Sequence, residues 1–246
     1  MRILIANPNT SETMTERMID VAGRVIEPTT ELVPGTASTG FEYISSRAEA
    51  QVAGAALLAD IAERIADVDA VVIAAYGDPA LTAARELFDV PIVGMAEAAM
   101  LTACMLGERF ALVTFSETLV PWYLESVARA GLQSRFAGVR TPSAPMASIH
   151  TVQDDLRERL AEEVHLAVRS NEADAVILAG APLAGLSAQM TDTPAVLVDP
   201  ISAAVKQAEL LARISPRGAF TGGFRRPPGK DSIGLPPSLA KWMARG

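Results

Sequence analysis

Along most of the chain, short and continuously apolar runs alternate with segments whose apolar residues recur at the spacing of a helix. This alternation is the sequence feature that most constrains the fold. The runs are Ile3–Ala6, Ala70–Ala74, Pro91–Met95, Phe110–Thr114, Ala175–Ala179 and Ala195–Val198, with a weaker one at Leu32–Val33. A strand that is apolar on both faces is typical of a parallel sheet covered by helices. Strands separated by helices therefore predict a doubly wound α/β architecture.

The two halves of the chain share one feature. Each has a buried strand that ends in a loop of small residues, first at residues 73–79 and again at residues 178–183. Ligands of such sheets bind beyond the carboxyl ends of the strands. We therefore expect two lobes with one site between their facing loops. The predicted division is residues 1–98 with 205–246 for the first lobe, whose C-terminal stretch wraps the surface, and 99–204 for the second.

Composition excludes several classes of function. The net charge of −8 and the pI near 4.9 argue against a nucleic-acid partner. No apolar run approaches the roughly 20 residues that span a bilayer, so we expect no membrane partner. The start of the chain does not resemble a signal peptide, which predicts a soluble cytoplasmic protein. The single cysteine, Cys104, excludes an internal disulfide and a cysteine-based zinc site, and no metal ligands are predicted.

Several spaced segments, in order, resemble the Asp/Glu/hydantoin racemase superfamily, and the hydantoin and allantoin racemases look most similar. The segments are Asn7-Pro8-Asn9-Thr10-Ser11, Gly77-Asp78-Pro79 with Ala83–Leu87, Val93–Ala99 and Asp199–Lys206. The resemblance covers essentially the whole chain. It implies two flavodoxin-like lobes with parallel sheets, an active site in the cleft between them, chemistry without a cofactor, and a homo-oligomer.

The same resemblance implies two cysteines, one in each lobe, acting as opposed acid and base across a stereocentre. A thiol, with a pKa of about 8.5, can be tuned for that exchange. Here the first cysteine would fall at Ala75 and the second at Gly180, and neither residue can carry a proton. Cys104 lies within a predicted helix among apolar residues, where a small buried side chain is the favoured interpretation.

Other departures fall in loops that the resemblance assigns to the cleft. Relatives usually have Pro and Ser where this chain has Phe41 and Tyr43, often a second Thr where Phe115 follows Thr114, and often Gly in place of Pro182. We therefore predict a pocket rebuilt for another reaction. The predicted substrate-binding residues are Asn9, Thr10, Phe41, Tyr43, Ala75, Thr114, Phe115, Ser116, Gly180, Ala181 and Pro182.

Four residues are candidate acids or bases, each with a structural alternative. Tyr76 and Asp78 lie on the loop of the first missing cysteine, although an Asp before Pro also caps helices and satisfies backbone donors. Glu42 could be a general base if burial raised its pKa, but a solvated carboxylate is the better-supported interpretation. His150 is the better candidate of the two histidines, although a lone loop histidine is commonly just exposed. Asn9 and Thr10 have an alternative as turn and cap residues.

These residues lead to several functional hypotheses. The first is an enzyme that acts on a hydantoin-type cyclic ureide by non-cysteine acid–base chemistry, such as hydrolytic removal of sulfur from a thiohydantoin. A lyase or decarboxylase is a second enzymatic outcome. The alternatives are a racemase that uses Asp78, Tyr76, Glu42 or His150 as bases, and a catalytically inactive homologue that binds the ring without turnover. In each case the expected partner is a small molecule.

Overall fold

The computed structural model describes residues 1–143, 148–214 and 222–245. The strands in this part of the chain are β1 (Arg2–Asn7), β2 (Glu31–Thr36), β3 (Ala70–Ile73), β4 (Ile92–Gly94), β5 (Phe110–Val113), β6 (Phe136–Arg140), β7 (Ala175–Leu178) and β8 (Val196–Val198). The α-helices are α1 (Glu12–Gly23), α2 (Arg47–Arg64), α3 (Leu81–Leu87), α4 (Met95–Leu106), α5 (Val120–Arg129), α6 (Val152–Asn171), α7 (Pro200–Ile214) and α8 (Pro237–Met243).

The strands form two four-stranded sheets of the same topology. The first has the order β2-β1-β3-β4 and the second the order β6-β5-β7-β8, and all pairs are parallel. In each sheet the first strand of the chain lies in the second place. The next strand is added at its outer edge, and the chain then crosses back to build the other side of the sheet, as in a doubly wound fold. The predicted α/β class with two pseudo-symmetric lobes is confirmed.

Alternation along β1 shows why both faces of the first sheet are covered. Ile3 and Ile5 point into one apolar core, whereas Leu4 and Ala6 point into a second core on the opposite face. Successive side chains of a strand face opposite sides, so an uninterrupted apolar run needs helices on both. At the end of this strand Ser11, rather than Thr10, caps α1 by accepting a hydrogen bond from the Met14 N–H.

Two helices cross between the lobes. Helix α4 follows β4 of the first sheet but packs against β7 and β8 of the second. Helix α7 follows β8 of the second sheet but packs against β3 and β4 of the first, and α4 and α7 contact each other. Glu209 of α7 accepts hydrogen bonds from the Thr30 hydroxyl and from the Glu27 N–H in the first lobe. Each lobe is therefore completed by a helix from the other half of the chain.

Two elements were not predicted from the sequence. Strand β6 lies at a sheet edge, and all of its residues are half-buried. An edge strand of this kind does not need the continuous apolar run by which the central strands were predicted. Helix α8 packs against α2 and buries Leu239. The predicted C-terminal wrap begins at Pro216, and residues 215–221 lie outside the described part. The proposed lobe boundaries at residues 98 and 204 stay a prediction. Among described helices, none combines the length and the apolarity needed to cross a bilayer.

Candidate active site between the lobes

The loops that follow β3, β5 and β7 meet between the two sheets. Tyr76, just beyond β3 of the first lobe, packs edge-on against Tyr123 of α5 in the second lobe, with 4.7 Å between ring centroids. Tyr43, from the loop between β2 and α2, lies with its ring centroid 6.0 Å from that of Phe115, which follows β5. We call the buried side chains of Tyr76, Thr114, Phe115 and Tyr123, together with the half-buried Tyr43, the hydroxyl pocket.

Two hydroxyl groups in this pocket are buried without a hydrogen-bond partner among the described residues. They belong to Tyr43 and Tyr76. Leaving a buried polar group unpaired costs about 1–3 kcal/mol, and native structures rarely tolerate several such groups close together. A hydrogen bond with the Thr114 side chain lowers the pKa of Tyr123, whereas the nearby Tyr43 and Tyr76 phenols raise it, so these four side chains are neighbours. The Tyr43 and Tyr76 hydroxyls are therefore free to hydrogen-bond another polar group.

Burial keeps the tyrosines of this pocket neutral. Loss of solvation raises the pKa of Tyr76 and of Tyr123 well above 10, and nearby Asp78 raises that of Tyr76 further. Burial and the negative charge of Glu49 likewise raise the pKa of Tyr43. At neutral pH these phenols can donate or accept hydrogen bonds, but they cannot remove a proton from a carbon atom.

The second missing thiol position is closed by its surroundings. Gly180 has φ of +132°, a conformation that side chains rarely adopt, and a Cβ there would lie 2.8 Å from Cε1 of Phe115. The first position, Ala75, is only 7% exposed and directly precedes Tyr76. The Phe115 ring thus fills the space that a side chain at position 180 would need, so the two departures from the two-thiol arrangement fit each other.

The carboxylate of Asp78 is bonded to helix α4. Its two carboxylate oxygens accept hydrogen bonds of 2.8 Å from the Ala96 and Glu97 N–H groups at the start of α4. Burial raises the pKa of Asp78 to about 7, and these two hydrogen bonds oppose the shift. No hydrogen bond joins Asp78 to Tyr76 among the described contacts, so the geometry favours the structural alternative for Asp78.

Glu42 and His150 form a pair that sequence reasoning did not predict. The Nε2 atom of His150, from the second lobe, lies 3.0 Å from Oε1 of Glu42, from the first lobe. Both side chains are exposed, and with Thr10 and Arg17 they line an open pocket of about 570 Å³. Tyr43 follows Glu42 directly in the sequence, but the five residues of the hydroxyl pocket do not line this open pocket.

Several other predicted binding residues make hydrogen bonds within the protein. Asn9 accepts hydrogen bonds from the Asn7 side chain and the Ser11 N–H, which supports its turn role. The Thr10 N–H donates to the Phe41 carbonyl, and the Pro182 carbonyl accepts from Arg17. The Ser116 hydroxyl shares a hydrogen bond with that of the exposed Thr118. Ala181 is buried in a short helical turn. Their roles in binding stay predictions.

Sequence reasoning missed Tyr123 and its neighbour Trp122. Trp122 packs over Gly77, where a Cβ would lie 2.4 Å from its ring. The adjacent aromatic pair in an otherwise aromatic-poor chain was the available signal, since aromatic residues make up 5% of the sequence. In the described part of the chain, no group of three or more His, Cys, Asp or Glu side chains is arranged to hold a metal ion.

Two doubly wound lobes whose loops meet between their sheets define a two-lobed α/β protein. The sequence model of the Asp/Glu/hydantoin racemase family matches residues 3–208, and the chain belongs to that family. A hydantoin racemase of Paenarthrobacter aurescens is 31% identical over 236 residues, covering 95% of this chain and all of the relative.

Two solved structures share this architecture. The allantoin racemase from Klebsiella pneumoniae superposes with a TM-score of 0.90 at 31% identity, covering 97% of this chain and 98% of that one. The allantoin racemase from Pseudomonas fluorescens gives a TM-score of 0.86 at 31% identity, covering 95% of this chain and all of that one. The recognised family resemblance is confirmed.

Proposed function

We propose that this protein is an enzyme that acts on the ring of a hydantoin-type five-membered cyclic ureide by chemistry that uses no thiol. The observation that carries the proposal is the pair of buried hydroxyls, on Tyr43 and Tyr76, that lack a partner in the described part of the chain, beside the Thr114 and Tyr123 hydroxyls. A cyclic ureide presents several N–H and C=O groups in one plane, so it could satisfy hydroxyls converging on one pocket. The names of the relatives, hydantoin and allantoin racemases, support this class of ring.

The proposed reaction is hydrolytic removal of sulfur from a thiohydantoin. His150, oriented by Glu42, accepts a proton from water as the water oxygen attacks the thiocarbonyl carbon. The histidine then returns that proton to sulfur and the carbon–sulfur bond breaks. The proton still on the former water oxygen passes to the departing hydrosulfide, which leaves as hydrogen sulfide. The ring keeps a carbonyl group in place of the thiocarbonyl, so the atoms balance without an oxidant or reductant. Neutral hydroxyls in the pocket stabilise the negative charge that develops on sulfur.

A racemase that uses non-thiol bases is the second candidate. The names of relatives about 31% identical to this chain favour it. Racemisation through two opposed bases requires a proton carrier on each face of the stereocentre, whereas Ala75 and Gly180 cannot supply one. Of the predicted bases, Asp78 is engaged with α4 and Tyr76 is held neutral. The Glu42–His150 pair is then the remaining candidate, and it supports one-sided proton transfer.

The test is a panel of 5-substituted hydantoins and 2-thiohydantoins. We expect the wild-type chain to release sulfide from thiohydantoins, with a matching change in ring absorbance. His150→Gln should abolish release, whereas His165→Gln, which alters the half-buried histidine of α6, should retain it. The expected loss is roughly 100-fold or more, the usual contribution of a general base.

Polarimetry and proton–deuterium exchange at C5 of the same compounds separate the alternatives. Exchange without sulfide release would contradict desulfurisation and favour a racemase. Binding of the ring without any turnover would instead identify an inactive homologue. Neither binding nor turnover across the panel would remove the basis for any ring-directed function.

A further inference from the structure

Tyr123 occupies the neighbourhood of the second missing thiol. A Cβ built on Gly180 would have three nearest heavy atoms, namely two carbon atoms of the Phe115 ring and the hydroxyl oxygen of Tyr123 at 3.6 Å. Apart from Gly180 and its two chain neighbours, the Tyr123 hydroxyl is therefore the nearest polar atom, among the described residues, to the position from which a thiol would extend. Its side chain is 2% exposed and is fixed between the rings of Tyr76 and Trp122.

The two walls of the site carry matching groups. Tyr76 follows β3 on the first-lobe wall, one residue after Ala75, where the first thiol is missing. Tyr123 stands on the second-lobe wall beside Gly180, where the other thiol is missing. Each absent thiol is thus accompanied by a buried phenol, although the two phenols come from different kinds of element, a loop and a helix.

We infer that Tyr123 contacts the bound ring through its hydroxyl and serves as the second-lobe polar group of the site. This inference rests on the proposed function for the identity of the ring. Tyr123 acts as a hydrogen-bond donor to a ring oxygen or sulfur atom, and Phe115 holds it in position by filling the space over Gly180. The site then grips the ring from both lobes by neutral hydrogen bonds.

The chain itself provides a spectroscopic test. It contains three tyrosines, and all three lie in the hydroxyl pocket. A tyrosine difference spectrum recorded during titration with 5-methylhydantoin or 5-methyl-2-thiohydantoin therefore reports this pocket alone, apart from the separate tryptophan bands. Isothermal calorimetry of the same titration gives the dissociation constant.

Tyr123→Phe removes the hydroxyl and keeps the ring that packs on Tyr76. We expect this variant to bind the ring roughly three- to tenfold more weakly and to lose part of the tyrosine difference spectrum. The control is Ser126→Ala, one turn along α5, which removes a hydroxyl that donates to the Trp122 carbonyl. The control should bind like the wild type, which excludes a general disturbance of α5.

The possible results separate this inference from the proposed function. Weaker binding by Tyr76→Phe with unchanged binding by Tyr123→Phe would overturn the inference and leave the proposed function standing. Equal weakening by Tyr123→Phe and Ser126→Ala would assign Tyr123 a packing role only and would also overturn it. A wild-type chain that binds neither compound would overturn the proposed function, and the inference with it.

Discussion

At the scale of single residues, the Tyr43 and Tyr76 hydroxyls are buried with no hydrogen-bond partner in the described part of the chain. The chain places all three of its tyrosines in the hydroxyl pocket, although they lie 33 and 47 residues apart along the sequence, at positions 43, 76 and 123. Burial of a phenol costs little because most of its surface is an apolar ring, while the hydroxyl still seeks a partner. Tyrosine is thus suited to a site that excludes water but binds a polar ligand.

The raised pKa values of these tyrosines predict the response of the protein to alkali. In the unfolded chain the phenols ionise near pH 10, whereas in the folded protein they stay protonated at higher pH. The unfolded state therefore loses protons first, and stability falls as pH rises above 10. Phenolate absorbance should appear only together with the loss of tertiary circular dichroism. Phenolate formation near pH 10 in a still folded protein would contradict the burial of these hydroxyls.

Gly180 provides a second prediction at this scale. Gly180→Ala places a Cβ against Phe115 on a backbone with positive φ, so we expect the free energy of unfolding to fall by about 1–3 kcal/mol. Phe115→Ala in the Gly180→Ala background removes the steric part of this cost but not the backbone part. A double-mutant cycle measured by chemical denaturation therefore should give a favourable coupling between the two substitutions. Strict additivity would show that Phe115 does not restrict this position.

At the scale of elements, a carboxylate links each site loop to the helix that crosses between the lobes. In the first lobe, Asp78 of the loop accepts hydrogen bonds from Ala96 and Glu97 of α4. In the second lobe, Asp199 at the start of α7 accepts from the Ser202 N–H and from the Gly185 N–H of the loop after β7. A helix N-terminus offers free N–H groups that favour an acceptor, which explains both arrangements.

The contribution of Asp78 to stability is predicted to depend on pH. Asp78→Ala leaves the two N–H groups of α4 without acceptors, so we expect a loss of roughly 1–2 kcal/mol near pH 4. Because the folded-state pKa is raised to about 7, the wild type loses stability as pH rises from 4 to 7, and the variant does not. The difference between them should therefore shrink towards pH 8, as measured by urea denaturation at each pH. A difference that grows with pH would show that the helix holds this pKa below its ordinary value.

At the scale of the whole molecule, the exchanged helices make the two lobes one cooperative unit. One of the two apolar cores contains Ile3 and Ile5 of the first sheet together with Phe110 and Leu112 of the second. Because α4 and α7 each start in one lobe and pack on the other, neither lobe buries its sheet with its own helices alone. Unfolding of one lobe exposes the apolar face of the other.

The two tryptophans allow a test of this cooperativity. Trp122 lies in the second lobe, and Trp242 of α8 packs against Phe88 of the first lobe. Trp122→Phe and Trp242→Phe each leave one fluorescent reporter, and we expect each variant to show a urea transition that coincides with its own far-ultraviolet circular dichroism. A fluorescence transition that precedes the circular dichroism change in either variant would indicate that the lobes unfold separately.

Local patterns in the sequence predicted seven of the eight described strands, most helices and the two-lobed fold, because an apolar run indicates its own burial wherever it occurs. The family resemblance, rather than any local pattern, identified Ala75 and Gly180 as departures from the two-thiol arrangement. The Glu42–His150 pair, the position of Tyr123 beside Gly180 and the attachment of Asp78 to α4 came only from the tertiary structure. Each of these contacts joins residues that are distant in sequence. The apolar spacing of α5 predicts a helix, but it does not indicate which loop the aromatic face of that helix contacts. Burial is encoded locally, whereas the pairing of polar groups depends on how the two lobes pack together.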